Sequence, residues 1–280
     1  MRIVPNLCTT AFAIVAVCDL GASQTSYQEK IQKARPAVVE VLVSGARSGT
    51  GFCVSPDGYI ITATHVVGAP AITERGIVVN YQQGLSVRFE DGRTFPVQPV
   101  ENPSPEAAFH DISLLKADVK TSHFLRFGLP GSIREGDEVY TMGFPFDVPA
   151  AVTYRGSVSA RFPIPAGILN GNTIQNSTIH VQMPIAKGFS GAPLLSMSDD
   201  TVIGVITNKL GGISQKLSDV RQSIVASQNQ GNVKIFGVDP NAAELELINV
   251  LDAFLSAGAG WSVSIDYAKP LLAGKDLGKK

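Results

Sequence analysis

Gly49-Thr50-Gly51-Phe52-Cys53-Val54-Ser55-Pro56-Asp57-Gly58-Tyr59-Ile60-Ile61-Thr62 places two short apolar runs on either side of a Ser-Pro-Asp-Gly turn. Proline pre-sets one turn angle, aspartate bonds its own backbone, and glycine accepts the angle that closes the reversal. The stretch reads as a β-hairpin. The same cadence continues outward. Ala37-Val38-Val39-Glu40-Val41-Leu42-Val43 precedes it, and Ser86-Val87-Arg88-Phe89 and Thr94-Phe95-Pro96-Val97 flank the turn Glu90-Asp91-Gly92-Arg93. Ile112-Ser113-Leu114-Leu115-Lys116 follows. A second series starts near Leu125 with strands at 138–142, 156–160, 178–182 and 202–206. Short strands without intervening helices predict an all-β sandwich or barrel rather than βαβ units. Two β units are expected, joined around 118–126.

Residues 211–258 break this cadence. Ile213, Leu217, Val220 and Ile224 recur at helical spacing. Asp239-Pro240 is a helix start, since aspartate caps the free N–H groups and proline suits the first turn. The helix it opens carries Leu245, Ile248, Leu251 and Leu255 on one face. The expectation is two amphipathic helices packed on the second β unit. Strand signal returns at Gly260-Trp261-Ser262-Val263-Ser264-Ile265.

Composition narrows the function. The 280 residues are 44% hydrophobic, enough to fill a core. Glycine (27) and proline (17) are scattered, as many turns require. The net charge of −1 offers no basic excess to neutralise phosphates, so nucleic acid is not an expected partner. Arg2, the apolar run 11–17 and the small residues Gly21-Ala22-Ser23 read as an export signal over 1–23. The apolar run is too short to span a bilayer, so the mature chain, 24–280, is expected to carry no membrane span. Cys18 raises lipid anchoring as a second choice. Cys8 and Cys18 fall in the signal, which leaves Cys53 alone and no internal disulfide. A secreted or periplasmic bacterial protein fits this usage. Cys53, between Phe52 and Val54, reads as a small buried hydrophobe rather than a nucleophile.

Three residues carry the chemistry. Ser190 lies in Lys187-Gly188-Phe189-Ser190-Gly191-Ala192-Pro193. A serine hydroxyl needs an imidazole to take its proton, and its tetrahedral intermediate needs N–H donors. Gly188 can turn its backbone so that its N–H joins that of Ser190 in an oxyanion hole. His65 follows the strand that ends at Ala63-Thr64. Asp111 opens the strand 112–116. Singly, each has a plain structural reading. Together they run in the order His, Asp, Ser, the order of one known triad architecture. An α/β-hydrolase would need Ser, Asp, His and a Gly-x-Ser-x-Gly turn, yet Ala192 stands at its last position and no histidine lies beyond His180. His110, His123 and His180 lack metal-ligand spacing and read as structural. Asp118 is a weaker rival to Asp111. Lys187 offers a Ser–Lys dyad that an intact His–Asp pair makes unnecessary. Asn176-Ser177-Thr178 is a formal glycosylation sequon.

The stretch from Gly49 through His65-Val66-Val67 resembles the histidine motif of the HtrA (Do-like) branch of trypsin-like peptidases. Asp111-Ile112-Ser113-Leu114-Leu115-Lys116 is similar to its aspartate motif. Similar stretches are Glu135-Gly136-Asp137-Glu138-Val139, Gly143-Phe144-Pro145-Phe146, Gly156-Ser157-Val158-Ser159-Ala160 and Gly260 through Asp266 with Lys269-Pro270-Leu271-Leu272. The resemblance implies a chymotrypsin-like double β-barrel, first barrel 24–120 and second barrel 121–280. The helical insertion 211–258 lies in the second barrel, and a short helix closes the chain. It implies a serine endopeptidase with triad His65, Asp111 and Ser190 and an oxyanion hole of Gly188 and Ser190. Pro184, six before the nucleophile, would lie at the base of the primary pocket. Protein or peptide is the implied substrate, and neither metal nor organic cofactor is implied. The branch often carries a C-terminal PDZ domain; this sequence, ending at Lys280, is expected to be a protease domain alone. It departs from the branch at Phe189 (usually Asn or Asp), Ala192 (usually Gly) and Gln182 (often Asp). Phe189 and Ala192 support the alternative reading, a catalytically weak or inactive peptide-binding member of the fold. An esterase on the same barrels is a further rival.

Overall fold

The computed structural model describes residues 26–73, 76–101, 105–146, 148–209, 215–227, 237, 239–255 and 259–275. The export signal expected over 1–23 lies outside these residues. Helix α1 (Tyr27–Ala34) opens the described chain. Ser26 and Glu29 cap it reciprocally: the Glu29 N–H donates to the Ser26 hydroxyl and the Ser26 N–H to the Glu29 carboxylate. The strand-dominated reading of this region overlooked α1, although that Ser-x-x-Glu pattern stands in the sequence.

The first barrel takes β1 (Val38–Val43), β2 (Ala46–Cys53), β3 (Tyr59–Ala63), β6 (Leu85–Arg88), β7 (Thr94–Val100) and β8 (Ile112–Ala117). They pair in the closed order β1-β2-β3-β8-β7-β6. The opening hairpin is β2–β3, with Phe52 opposite Ile61 and Cys53 opposite Ile60. Its turn is held by the Ser55 hydroxyl, which accepts the N–H groups of Asp57 and Tyr59 at 3.2 Å. Gly58 completes it at φ +80, where a Cβ would lie 2.6 Å from the Ala117 carbonyl. Between β3 and β6 a single helical turn, α2 (Thr64–Val67), leads into a separate hairpin of β4 (Gly68–Thr73) and β5 (Gly76–Tyr81).

The second barrel takes β9 (Glu138–Gly143), β10 (Val152–Leu169), β11 (Asn172–Gln182), β12 (Pro193–Ser196), β13 (Val202–Lys209) and β14 (Gly260–Ser264). They close in the order β10-β11-β14-β13-β12-β9. The chain crosses between barrels at 125–128. There the Leu125 N–H bonds Cys53 O at 2.9 Å and the Gly128 N–H bonds Val202 O at 2.8 Å. One apolar cluster runs from Phe52, Ile60 and Leu115 through Tyr140, Met142, Leu195 and Val205, so the barrels share a core. A second cluster fills the second barrel around Val139, Ile179, Leu194 and Ile206.

The helices expected within 211–258 are α3 (Gln215–Ser227) and α4 (Pro240–Leu255). The Asp239 carboxylate accepts the N–H groups of Asn241 and Ala242, the cap the sequence called for. Among the described residues α3 and α4 contact chiefly each other. Ile224 and Ile248 are buried, while Val220, Val225, Leu247, Val250 and Leu251 remain exposed; Ile213 and the side chain of Leu255 lie outside the description. The expected closing helix is two short 3-10 turns, Ile265–Ala268 and Pro270–Leu272, because Pro270 interrupts any continuous ladder. No described helix is long and apolar enough to cross a membrane.

Candidate active site

His65 sits in α2 rather than at the strand end the sequence suggested. That turn points its backbone N–H and its ring at the same carboxylate. The His65 N–H donates to Asp111 Oδ1 at 3.0 Å, and His65 Nδ1 lies 2.7 Å from Asp111 Oδ2. Two contacts to one carboxylate fix the position of the ring and leave Nε2 as its other functional edge. Asp111 takes a left-handed backbone conformation, φ +53, and its carbonyl accepts the Thr64 N–H at 3.1 Å. Aspartate tolerates that conformation better than most residues. Burial depresses the His65 pKa, but the Asp111 hydrogen bond and negative charge together outweigh it, and the net effect is a rise above the usual imidazole value.

Neighbours hold the Asp111 turn. His110 Nδ1 lies 2.6 Å from Asn176 Oδ1, and its ring stacks on Tyr267 with centroids 3.8 Å apart. Asn176 Nδ2 donates to Phe109 O at 3.2 Å. His110 thus ties the aspartate segment to the long β10–β11 hairpin and the C-terminal turn. Asn176 is 5% exposed, so the sequon reading gives way to a structural one.

Ser190 lies on the tight turn between β11 and β12. Its carbonyl accepts the Thr50 N–H at 2.9 Å, which sets the serine turn against β2. Gly49 is compressed there: a Cβ would lie 2.9 Å from Ser190 O and 2.7 Å from a Val66 methyl. The structure therefore joins His65 and Asp111 directly and sets Ser190 beside the α2 turn that carries His65. Among the described residues the Ser190 hydroxyl makes no hydrogen bond.

The turn is locked peptide by peptide. In a trans peptide the C=O and N–H point in opposite directions. The Lys187 carbonyl accepts the Phe146 N–H at 3.1 Å, so the Gly188 N–H of the same peptide faces away from residues 144–146. The Phe189 carbonyl accepts the Ala192 N–H at 2.8 Å, which fixes the Ser190 N–H in the same way. Among the described residues neither the Gly188 nor the Ser190 N–H meets a protein acceptor. The peptide between Gly188 and Phe189 is held at both ends: Thr50 Oγ1 donates to Gly188 O at 2.7 Å, and the Phe189 N–H donates to Ala186 O at 3.1 Å. Thr50 also accepts the Phe144 N–H at 2.9 Å. Glycine is required at 188, where φ is +101 and a Cβ would lie 2.3 Å from Phe144 O. It is required at 191, where φ is +86 and a Cβ would lie 2.0 Å from Thr50 O. Sequence reasoning missed Thr50, His110 and Asn176. Nothing local marks them, because their partners lie far along the chain.

The remaining expected residues fall as follows. Pro184 is exposed between buried Met183 and Ile185. A cavity of about 440 Å³ separates Lys187 from α3 and α4, lined by Arg221, Gln222 and Val225 of α3 and Leu245 and Asn249 of α4. Phe189 and Ala192 are fully buried. Cys53 is fully buried, and burial pushes its thiol up to about 12, which removes it as a nucleophile at neutral pH. His180 is buried between Phe162 and Trp261, and burial lowers its pKa. Among the described residues no group of three or more His, Cys, Asp and Glu is placed to hold a metal ion.

Two paired barrels with a His–Asp contact beside a glycine-flanked serine turn define a chymotrypsin-like peptidase architecture. Residues 49–205 match the family described as the trypsin-like peptidase domain, and the chain belongs to that family. It is 32% identical over 164 residues to a probable periplasmic serine endoprotease DegP-like of Chlamydia pneumoniae, a match covering 59% of this chain and 29% of that protein. It is 30% identical over 174 residues to the mitochondrial serine protease HTRA2 of Drosophila erecta, covering 60% and 36%. The matched stretch thus spans about a third of these relatives. Among solved structures, the active form of the Rv3671c protease from M. tuberculosis superimposes with a TM-score of 0.57 at 16% identity, covering 99% of this chain and 96% of that one. The HtrA-type protease AlgW with decapeptide gives 0.54 at 19% identity, covering 89% and 68%. At such identities the likeness concerns the fold.

Proposed function

We propose that the chain is a serine endopeptidase that cleaves exported or envelope proteins in a secreted or periplasmic setting. The observation that carries this reading is the double contact of His65 with the Asp111 carboxylate, at 3.0 and 2.7 Å. Ser190 Oγ attacks the peptide carbonyl carbon while His65 Nε2 takes its proton. The Gly188 and Ser190 N–H groups receive the negative charge that develops on the carbonyl oxygen. The C–N bond breaks, His65 returns the proton to the leaving amine, and water then hydrolyses the acyl-serine by the same route. Asp111 keeps the imidazole in the tautomer with Nδ1 protonated and stabilises its charged form. Contacts between nucleophile and base tighten on substrate binding, so the unbonded Ser190 hydroxyl is compatible with this role.

The names of the DegP-like relatives support the setting, and Pro184 supports a pocket without charge. Apolar or small residues are expected before the cut; a profile dominated by Lys and Arg would contradict the pocket assignment. The decisive experiment labels the purified protein with a fluorophosphonate probe and digests unfolded casein. Wild type is expected to label and cleave, and Ser190→Ala to do neither while keeping its fold. A wild type that does neither would overturn the endopeptidase reading in favour of a peptide-binding member.

A further inference from the structure

We infer that Arg47, anchored by the buried carboxylate of Glu40, is a positioning residue for the oxyanion donor at Gly188. This rests on the endopeptidase reading above. Glu40 lies on β1 and is 2% exposed. One of its oxygens accepts Arg47 Nε, and the other accepts Arg88 Nε at 2.7 Å. Holding Nε in place directs the rest of the planar guanidinium outward. Arg47 Nη1 then donates to the carbonyls of Pro145 and Val148, each at 2.7 Å. These bracket a turn of the second barrel in which the Val148 N–H bonds Pro145 O at 3.2 Å.

Phe146 lies inside that turn, and its N–H holds the Lys187 carbonyl. The Lys187–Gly188 peptide is thus clamped by its oxygen. Rotation of this peptide would withdraw the Gly188 N–H, and glycine at 188 offers little intrinsic resistance to it. The bond from Phe146 resists it, and Arg47 holds the turn that presents that bond. A residue of the first barrel therefore sets a donor on the second through the sequence Glu40, Arg47, 145–148, Lys187–Gly188. Since charge-assisted bonds are the stronger kind, the guanidinium suits this span better than a neutral side chain.

The test compares Arg47→Ala with Arg88→Gln. Both remove a cation from Glu40, but only Arg47 touches the 145–148 turn. Fluorophosphonate labelling rate and peptide kcat and KM are measured for both and for wild type. Losing an oxyanion donor costs about 10²–10³-fold in kcat. Arg47→Ala is expected to lose roughly ten- to a hundredfold in kcat and labelling, with KM and the pH midpoint of activity little changed. Guanidinium ion at millimolar concentration is expected to restore part of the loss. Arg88→Gln is expected to stay within about twofold of wild type. Equal losses in both variants, with no response to guanidinium, would overturn the inference and assign the effect to the stranded Glu40 charge. Should Arg47→Ala fail to fold, Arg47→Lys keeps the charge but not the fork, and an undiminished kcat there would also overturn it. A wild type that does not label at all would instead overturn the endopeptidase reading, and amide exchange would then decide alone: Arg47→Ala is expected to deprotect the Phe146 N–H, and unchanged protection would overturn the clamp.

Discussion

The ring of Phe189 lies stacked on that of Tyr154, with centroids 5.1 Å apart and planes 26° from parallel. Residue 189 immediately precedes Ser190, the proposed nucleophile. In digestive enzymes of this class an aspartate there pairs with a newly freed amino terminus. A fully buried benzyl group cannot make that pair, and burying an ammonium without one costs several kcal/mol. Phe189 anchors the turn through packing instead. A chain of residues 24–280 with an N-terminal tag is expected to label at Ser190 with no proteolytic step. Labelling that appeared only after a cut created a new terminus would contradict this.

The raised His65 pKa fixes the sign of the pH response. The proposed mechanism needs the neutral ring, so kcat/KM is expected to rise with pH through a midpoint above the ordinary imidazole value of about 6.5. Stability runs the other way. A raised folded-state pKa contributes stability that is full below about 6.5 and fades as pH climbs through the folded value. Asp111→Asn removes both raising influences and leaves burial. Its midpoint is expected below that of wild type, with a plateau roughly 10⁴-fold lower. A pH–rate series on the two proteins checks both.

Thr50 serves two backbone groups from opposite sides. Thr50→Val keeps the shape and strands a buried N–H and a buried C=O, at about 1–3 kcal/mol each. Urea denaturation is expected to show a loss of about 2–6 kcal/mol, and the folded fraction is expected to label slowly. Thr50→Ser retains the hydroxyl and is expected to recover most of the labelling rate.

Two glycines with nearly the same φ separate strain from collision. At Gly92, φ +85, an added methyl meets nothing within 4 Å; at Gly191, φ +86, it meets Thr50 O at 2.0 Å. Gly92→Ala is expected to cost about 1–2 kcal/mol, the price of the left-handed backbone alone. Gly191→Ala must displace β2 or the nucleophile turn and is expected to exceed about 4 kcal/mol. Thermal melts of the pair give the comparison.

Cys53 provides a probe of global opening. With its thiol pushed up to about 12 and no exposed surface, it is expected to resist iodoacetamide in the native state. Its modification rate in increasing urea is expected to track unfolding. Rapid alkylation of the folded protein would contradict the burial.

The β2–β3 hairpin was legible because its turn is chemically local: Ser55, Pro56, Asp57 and Gly58 specify it without distant help. His65, Asp111 and Ser190 were singled out by their order and by the glycines beside the serine, and of the three the structure brings His65 and Asp111 into direct contact. What supports them was not legible. Thr50 meets Gly188 across 138 positions and Arg47 meets Pro145 across 98, and no periodicity encodes such pairs. His110 was read as structural and is so, but its partner Asn176 lies 66 positions away on the β10–β11 hairpin and could not be named from the sequence. Apolar spacing marked α3 and α4 as helices, but it could not say what covers each face, since spacing shows only that a face is apolar.

Helix α1 opens the described chain, yet its Lys30 ammonium rests on Asp200 of the second barrel, 170 positions later. Pairings of such high sequence separation form late, because loop closure must precede the contact that rewards it. During synthesis the first barrel can emerge with His65 and Asp111 already on it while α1 waits for its anchor and β2 for the serine turn. A polypeptide made in that order carries its imidazole and its serine as unconnected parts until β14 (Gly260–Ser264) has emerged to close the second barrel, so on the proposed reading the two halves of the site meet only late in synthesis.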